Sequence, residues 1–175
     1  MHVRLTMSLL FFLVLQSVTV NAARYASIIV DEETQTVLHA YNPDLLVFPA
    51  SLTKMMTLYL VFENLKSGKL KRNTILNVSH RASRQPRSKL GLKQNSKITV
   101  EQSIKALITK SANDIATVLA ERVGGTEENF ARIMTSRARQ LSMSRTQFKN
   151  ASGLPNKKQV STARDMAFLS IALRQ

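Results

Sequence analysis

Ser51 and Lys54 stand three residues apart in Pro49-Ala-Ser-Leu-Thr-Lys54, at the head of an apolar run. On a helix, positions i and i+3 share a face. A lysine amine placed there can take the proton of a serine hydroxyl, making a nucleophile without any histidine. A helix N-terminus adds free N–H groups that favour developing negative charge, and burial of the lysine favours the neutral, proton-accepting amine. The plainer alternative is that Ser51 caps the helix while Lys54 snorkels to solvent. A second polar triplet, Ser111-Ala112-Asn113, interrupts a helical pattern about 60 residues later. A serine there can relay a proton to a leaving amine, an asparagine can hold a substrate amide, and either can simply cap a helix.

These residues need elements to position them. Tyr25–Val30 and Thr36–Tyr41 are β-prone around an Asp31-Glu-Glu-Thr34 turn cluster and read as a hairpin. A helix is expected over Ala50–Leu65, with Pro49 in its first turn and apolar residues nearly all round, hence buried; Gly68 stops it. Residues 69–99 read as basic loops with small strands at Thr74–Val78, Leu90–Leu92 and Lys97–Thr99. Thr99 with Gln102 forms a capping box for a helix carrying Ile104, Leu107 and Ile108. Asn113 is placed as the cap of a further helix ending at Gly124-Gly125. Thr126 starts another, carrying Phe130, Ile133, Met134, Ala138 and Leu141. Asn150–Asn156 is dense in turn formers, and Thr162 with Asp165 caps a last helix carrying Met166, Leu169 and Leu173.

Composition narrows the function. The 44% hydrophobic and 21% charged fractions of the 175 residues are those of a globular protein. Residues 1–22 read as a secretory signal peptide: Arg4, an apolar Met7–Val20 too short to span a bilayer, and small residues at Val20-Asn-Ala22. The length of residues 23–175 allows one domain or two small ones, with export expected to the periplasm or the outer face of the cytoplasmic membrane. The chain has no cysteine, which excludes thiol chemistry. Its formal charge is +14, of which the signal carries only Arg4. Arg81, Arg84, Arg87, Lys89, Lys93 and Lys97 crowd one segment without an acid. Nucleic acid is disfavoured by export and by a 6% aromatic content without tryptophan. An anionic wall polymer or membrane surface fits better, beside the reading of a solvated basic face. His39 and His80 stand in no motif, which disfavours a Ser-His-Asp hydrolase.

The runs Phe48-Pro-Ala-Ser-Leu-Thr-Lys-Met-Met-Thr57, Lys110-Ser-Ala-Asn-Asp-Ile-Ala116, Asn150-Ala-Ser-Gly-Leu-Pro155 and Ser161-Thr-Ala-Arg-Asp-Met-Ala167 occur in this order. Together they resemble the serine D-alanyl-D-alanine carboxypeptidases, the low-molecular-mass penicillin-binding proteins, over roughly residues 24–175. The resemblance implies an α+β, β-lactamase/transpeptidase-like fold, a helical cluster packed on an antiparallel sheet. It implies that Ser51 attacks the penultimate D-alanine carbonyl of a peptidoglycan stem peptide, with Lys54 as general base. Ser111 would relay the proton to the departing D-alanine, Asn113 would bind the substrate backbone, and β-lactams would trap the Ser51 ester. No metal or organic cofactor is implied. The family's third motif, Lys-Thr/Ser-Gly on a later strand, is expected after Gln175. Lys66-Ser67-Gly68 is not that motif: it sits where a first helix should stop. The chain as given is therefore expected to be an inactive N-terminal part of the domain. A serine β-lactamase and a non-catalytic peptidoglycan-binding remnant are the alternatives.

Overall fold

A computed structural model of the protein describes residues 25–174; the signal-peptide reading falls outside them. The hairpin forms as expected. β1 (Ser27–Val30) pairs antiparallel with β2 (Val37–Tyr41), Ser27 opposite Tyr41 and Ile29 opposite His39. Asp31 accepts from the Thr34 N–H at 2.8 Å and its hydroxyl at 2.6 Å, which closes the turn. β1 rests on the last helix, whereas every residue of β2 is exposed.

The centre of the fold is α4 (Asn113–Gly124), buried from Asn113 through Ala120. Around it pack α1 (Thr53–Lys66), α2 (His80–Ser83), α3 (Val100–Lys110) and α5 (Glu127–Gln140), together with the short strand β3 (Ile75–Asn77). β3 pairs antiparallel with β4 (Lys97–Thr99), and α6 (Ala163–Ala172) closes the series. Met56, Ile115, Leu119, Phe130, Met134 and Phe148 are fully buried. Each such side chain stabilises by about 1.5–3 kcal/mol relative to exposure. The result is an α+β domain: a helical cluster with two small antiparallel sheets.

Several local expectations hold. Thr99 and Gln102 form the reciprocal capping box, and Thr126 caps α5 through the Asn129 N–H. Gly68 takes a φ of 74° just beyond α1. Others are corrected. The first helix does not begin at Ala50: residues Ala50–Leu52 form a 3-10 turn, and Leu52, expected in the buried stripe, is exposed. Leu90–Leu92 is not a strand, because its N–H groups are taken by a carboxylate of α4. α4 is capped by Ala112 without a side-chain bond, so Asn113 is its first residue rather than its cap. Thr162 caps α6 through the Asp165 N–H, yet the Asp165 carboxylate turns away to the Thr146 hydroxyl at 2.6 Å. α6 ends at Ala172, leaving Leu173 as its C-cap. The four-residue α2 had no periodicity long enough to read.

Candidate active site

The chain reaches Ser51 along a fixed path. Val47 and Ser161 exchange backbone hydrogen bonds of 2.9 Å in both directions, and the Arg164 N–H donates to the Pro43 carbonyl at 3.0 Å. The Arg164 guanidinium grips Asp44 with both oxygens, at 2.7 and 2.9 Å, and holds its carboxyl below the usual value. Pro49 is buried, and Ala50 turns through a positive φ of 46°. The turn is forced tight by Gly153, where a Cβ would lie 1.8 Å from the Ala50 carbonyl oxygen; only glycine permits that approach, at a φ of 88°. Ser51 emerges exposed on the 3-10 turn just before α1. In a 3-10 turn i and i+3 eclipse, so Ser51 and Lys54 remain on one side although they straddle two helix types.

Lys54 is 4% exposed. Its Nζ donates to the Ser152 carbonyl at 2.6 Å across 98 residues. Three residues further along the same face, the Thr57 hydroxyl donates to the preceding carbonyl, Ala151, at 2.7 Å. Burial lowers the Lys54 pKa from 10.5 to about 8. The snorkelling alternative is therefore excluded: the amine is held inside, in a range where the proton-accepting form is well populated. Among the described residues no hydrogen bond yet joins the Ser51 hydroxyl to Lys54. Between them Thr53 is fully buried and its Oγ1 has no partner among the described residues, an arrangement that costs about 1–3 kcal/mol.

The second triplet sits between α3 and α4. Ser111 is half-buried in a left-handed conformation, φ 52°. The sharp turn there sends α4 back past α3. Asn113 is buried, and both its amide hydrogens are engaged, by the Pro86 carbonyl at 3.1 Å and the Arg87 carbonyl at 3.2 Å. Only its Oδ1 remains for a substrate, as an acceptor. Asp114 completes the arrangement: its carboxylate accepts from the N–H groups of Leu90, Gly91 and Leu92 at 2.9, 2.8 and 3.4 Å. The basic 86–92 segment is thus strapped over the start of α4. The structure brings Lys54 and the 150–153 turn together by direct bonds. It relates the Ser51–Lys54 pair to Ser111 and Asn113 through the packing of α1 on α4, with no hydrogen bond between the two pairs among the described residues.

Sequence reasoning missed Thr57, Glu127 and Gln159. Glu127 accepts from the Ala151 N–H at 3.1 Å, and the buried Gln159 Oε1 accepts from the Lys149 and Asn150 N–H groups at 2.9 and 3.1 Å. The available signal was the Asn150–Pro155 run, which stood in the resemblance without an assigned role. Lys66-Ser67-Gly68 closes α1 as expected, about 18 Å along the helix axis from Lys54.

This arrangement, a helical cluster edged by small antiparallel sheets, matches solved structures of the penicillin-binding, β-lactamase-like fold. The solved D-alanyl-D-alanine carboxypeptidase DacD of Francisella tularensis superposes with a TM-score of 0.82 at 35% identity, covering 84% of this chain and 36% of that one. Penicillin-binding protein D2 of Listeria monocytogenes, in its cefotaxime-bound form, gives 0.75 at 32% identity, covering 85% of this chain and 60% of that one. The model of the D-alanyl-D-alanine carboxypeptidase family matches residues 15–175, and the chain belongs to that family. The curated carboxypeptidase DacC of Escherichia coli is 36% identical over 154 residues, 85% of this chain. The chain spans about 38% of that relative's length.

Proposed function

We propose that this chain carries the acylating part of an exported serine D-alanyl-D-alanine carboxypeptidase that trims peptidoglycan stem peptides through a Ser51 acyl-enzyme. Lys54 takes the Ser51 proton as Oγ attacks the penultimate D-alanine carbonyl. The C–N bond breaks, Ser111 relays the proton from Lys54 to the departing amine, and free D-alanine leaves. Water then cleaves the ester, returning the hydroxyl to Ser51. Asn113 Oδ1 accepts an N–H of the substrate backbone. β-Lactams enter by the same attack and stay as the Ser51 ester. The observation that carries this reading is Lys54, enclosed on α1 with one carbonyl partner and a pKa of about 8. Export by residues 1–22 would deliver the protein to the periplasm or the outer face of the cytoplasmic membrane. There the Arg81–Lys97 segment would meet anionic wall polymer or lipid.

The test is a fluorescent penicillin followed by intact-mass and peptide-mass analysis of the full-length protein. A single adduct on the peptide bearing Ser51, lost in Ser51→Ala, supports the reading; no adduct refutes it. Rapid nitrocefin turnover would instead mark a β-lactamase. A second reading, a wall-binding protein of this scaffold without turnover, draws on one observation. Among the described residues the Lys-Ser-Gly run closes α1 rather than facing Ser51. Binding to purified peptidoglycan that survives Ser51→Ala, with no adduct formed, would favour it.

A further inference from the structure

We propose that Glu127 is a positioning residue for Ser51 acylation, holding the Ser152 carbonyl on Lys54 with Arg81 as its counter-charge; this rests on the acyl-enzyme reading above. Glu127 and Glu128 both occupy the first turn of α5, where carboxylates are ordinary. They behave differently. Glu128 is exposed, whereas Glu127 is folded inward and 4% exposed. A buried carboxylate is retained only when its oxygens are occupied. Here Oε2 accepts from the Arg81 Nε at 2.9 Å and Nη2 at 2.8 Å, and Oε1 accepts from the Ala151 N–H, 24 residues away.

That N–H belongs to the turn that supplies the lysine's acceptor. Ala151 is held on both sides, its N–H by Glu127 and its carbonyl by Thr57. The next carbonyl, Ser152, is then presented to Lys54 at 2.6 Å. A line of partners therefore runs from Arg81 on α2 through Glu127 on α5 to the Ser152 carbonyl and Lys54 on α1. Among the described residues the other carboxylates of the helices packed about Lys54 are engaged elsewhere: Glu63 pairs with Arg137, Asp114 holds the 90–92 loop, Glu121 accepts from Ser79, Glu128 pairs with Arg81 and Asp165 holds Thr146. The cation on α6, Arg164, is engaged by Asp44.

Removing Glu127 loosens the turn and has a signed consequence. The Ser152 carbonyl stabilises the ammonium form of Lys54, so a weaker hold lowers the lysine's pKa further. The acid limb of the acylation rate moves to lower pH while the plateau falls, because the amine is less well aimed. Partial loss of one charge-assisted hydrogen bond corresponds to a shift of about half to one pH unit. The misplacement lowers the plateau by about ten- to a hundredfold. A purely structural carboxylate would lower the melting temperature and leave the limb in place.

The experiment measures acylation of the full-length protein by a fluorescent penicillin from neutral to alkaline pH. In parallel, the Lys54 titration is read by NMR on isotope-labelled lysine, which needs no acylation. Glu127→Ala should move both the rate limb and the titration down and lower the plateau. Glu127→Gln, which keeps an acceptor for the Ala151 N–H, should restore the limb. Thr57→Val should displace it in the same direction, and serves if Glu127→Ala does not fold. An unchanged Lys54 titration in a folded Glu127→Ala or Thr57→Val variant overturns the proposal, as does a Gln variant shifted as far as Ala. Absence of any Ser51 adduct in the unmodified protein overturns the acyl-enzyme reading instead, and the titration still decides the role of Glu127.

Discussion

Gly153→Ala is the sharpest perturbation the structure offers. A methyl at 153 would lie 1.8 Å from the Ala50 carbonyl oxygen and 2.4 Å from its carbon, where ordinary contact begins at 3.4 Å. Either the 150–153 turn or the residue preceding Ser51 must retreat by about 1.6 Å, the difference between those distances. A retreat of that size breaks the 2.6 Å bond from Lys54 to Ser152. Alanine at a φ of 88° adds left-handed strain of about 1–2 kcal/mol. The lost charge-assisted bond is worth about 1.5–3 kcal/mol. Together they lower stability by about 2.5–5 kcal/mol, or about 5–20 °C in melting temperature for a domain of this size. Displacement of a catalytic group by about an ångström costs about a hundredfold in rate, so acylation should fall by at least that factor. Thermal melting and fluorescent-penicillin labelling of the full-length variant measure both. Gly153→Asn separates the causes: asparagine tolerates positive φ better but carries the same Cβ, so it should melt higher than alanine and acylate no faster. An alanine variant that labels at the parental rate and melts unchanged would refute the close-approach argument.

Acylation of the unmodified protein should rise with pH through about 8, where burial places the Lys54 amine; a rate flat from neutral pH upward would show that this amine is not the base. The same group has a stability signature. Its folded pKa of about 8 lies below the ordinary 10.5, so between those limits the unfolded chain binds more protons and the Lys54 contribution to stability increases with pH. Chemical denaturation at two pH values inside that window checks the sign against Lys54→Met, which lacks the term. Asp114→Asn should release the 90–92 loop and cost about 2–3 kcal/mol, because a charged acceptor shared by several backbone donors is lost. Limited trypsin digestion would report it as faster cleavage after Arg84, Arg87, Lys89 or Lys93, and an unchanged digestion pattern would contradict the strap.

The parts of this architecture that announce themselves locally were legible. The 25–41 hairpin has two β-prone runs about a turn cluster, and the Thr99–Gln102 box is a four-residue signal that needs no tertiary help. Ser51 and Lys54 were visible because a cation on an apolar helix is anomalous. The 3-10 entry to α1 was not visible, since it lies against Gly153, a hundred residues away, at an approach that only glycine permits. Asn113 was read as a cap from its type, whereas its amide was claimed by two carbonyls of the 86–87 segment. Leu90–Leu92 looked like a strand because apolar content cannot reveal that Asp114 takes its donors. Glu127 was indistinguishable from Glu128 in sequence; only the fold separates the one turned inward.

The approach to Ser51 has a consequence for how such genes are read. Residues 43–47 are tied to 160–164 by backbone bonds and the Arg164–Asp44 clamp, and Lys54 is tied to Ser152. On the proposed reading, the serine and its lysine are thus positioned by residues a hundred positions downstream. An open reading frame interrupted near position 145 would preserve Ser51, Lys54, Ser111 and Asn113 letter for letter. It would nonetheless encode a disarmed serine, and an inventory of signatures alone would score it as intact.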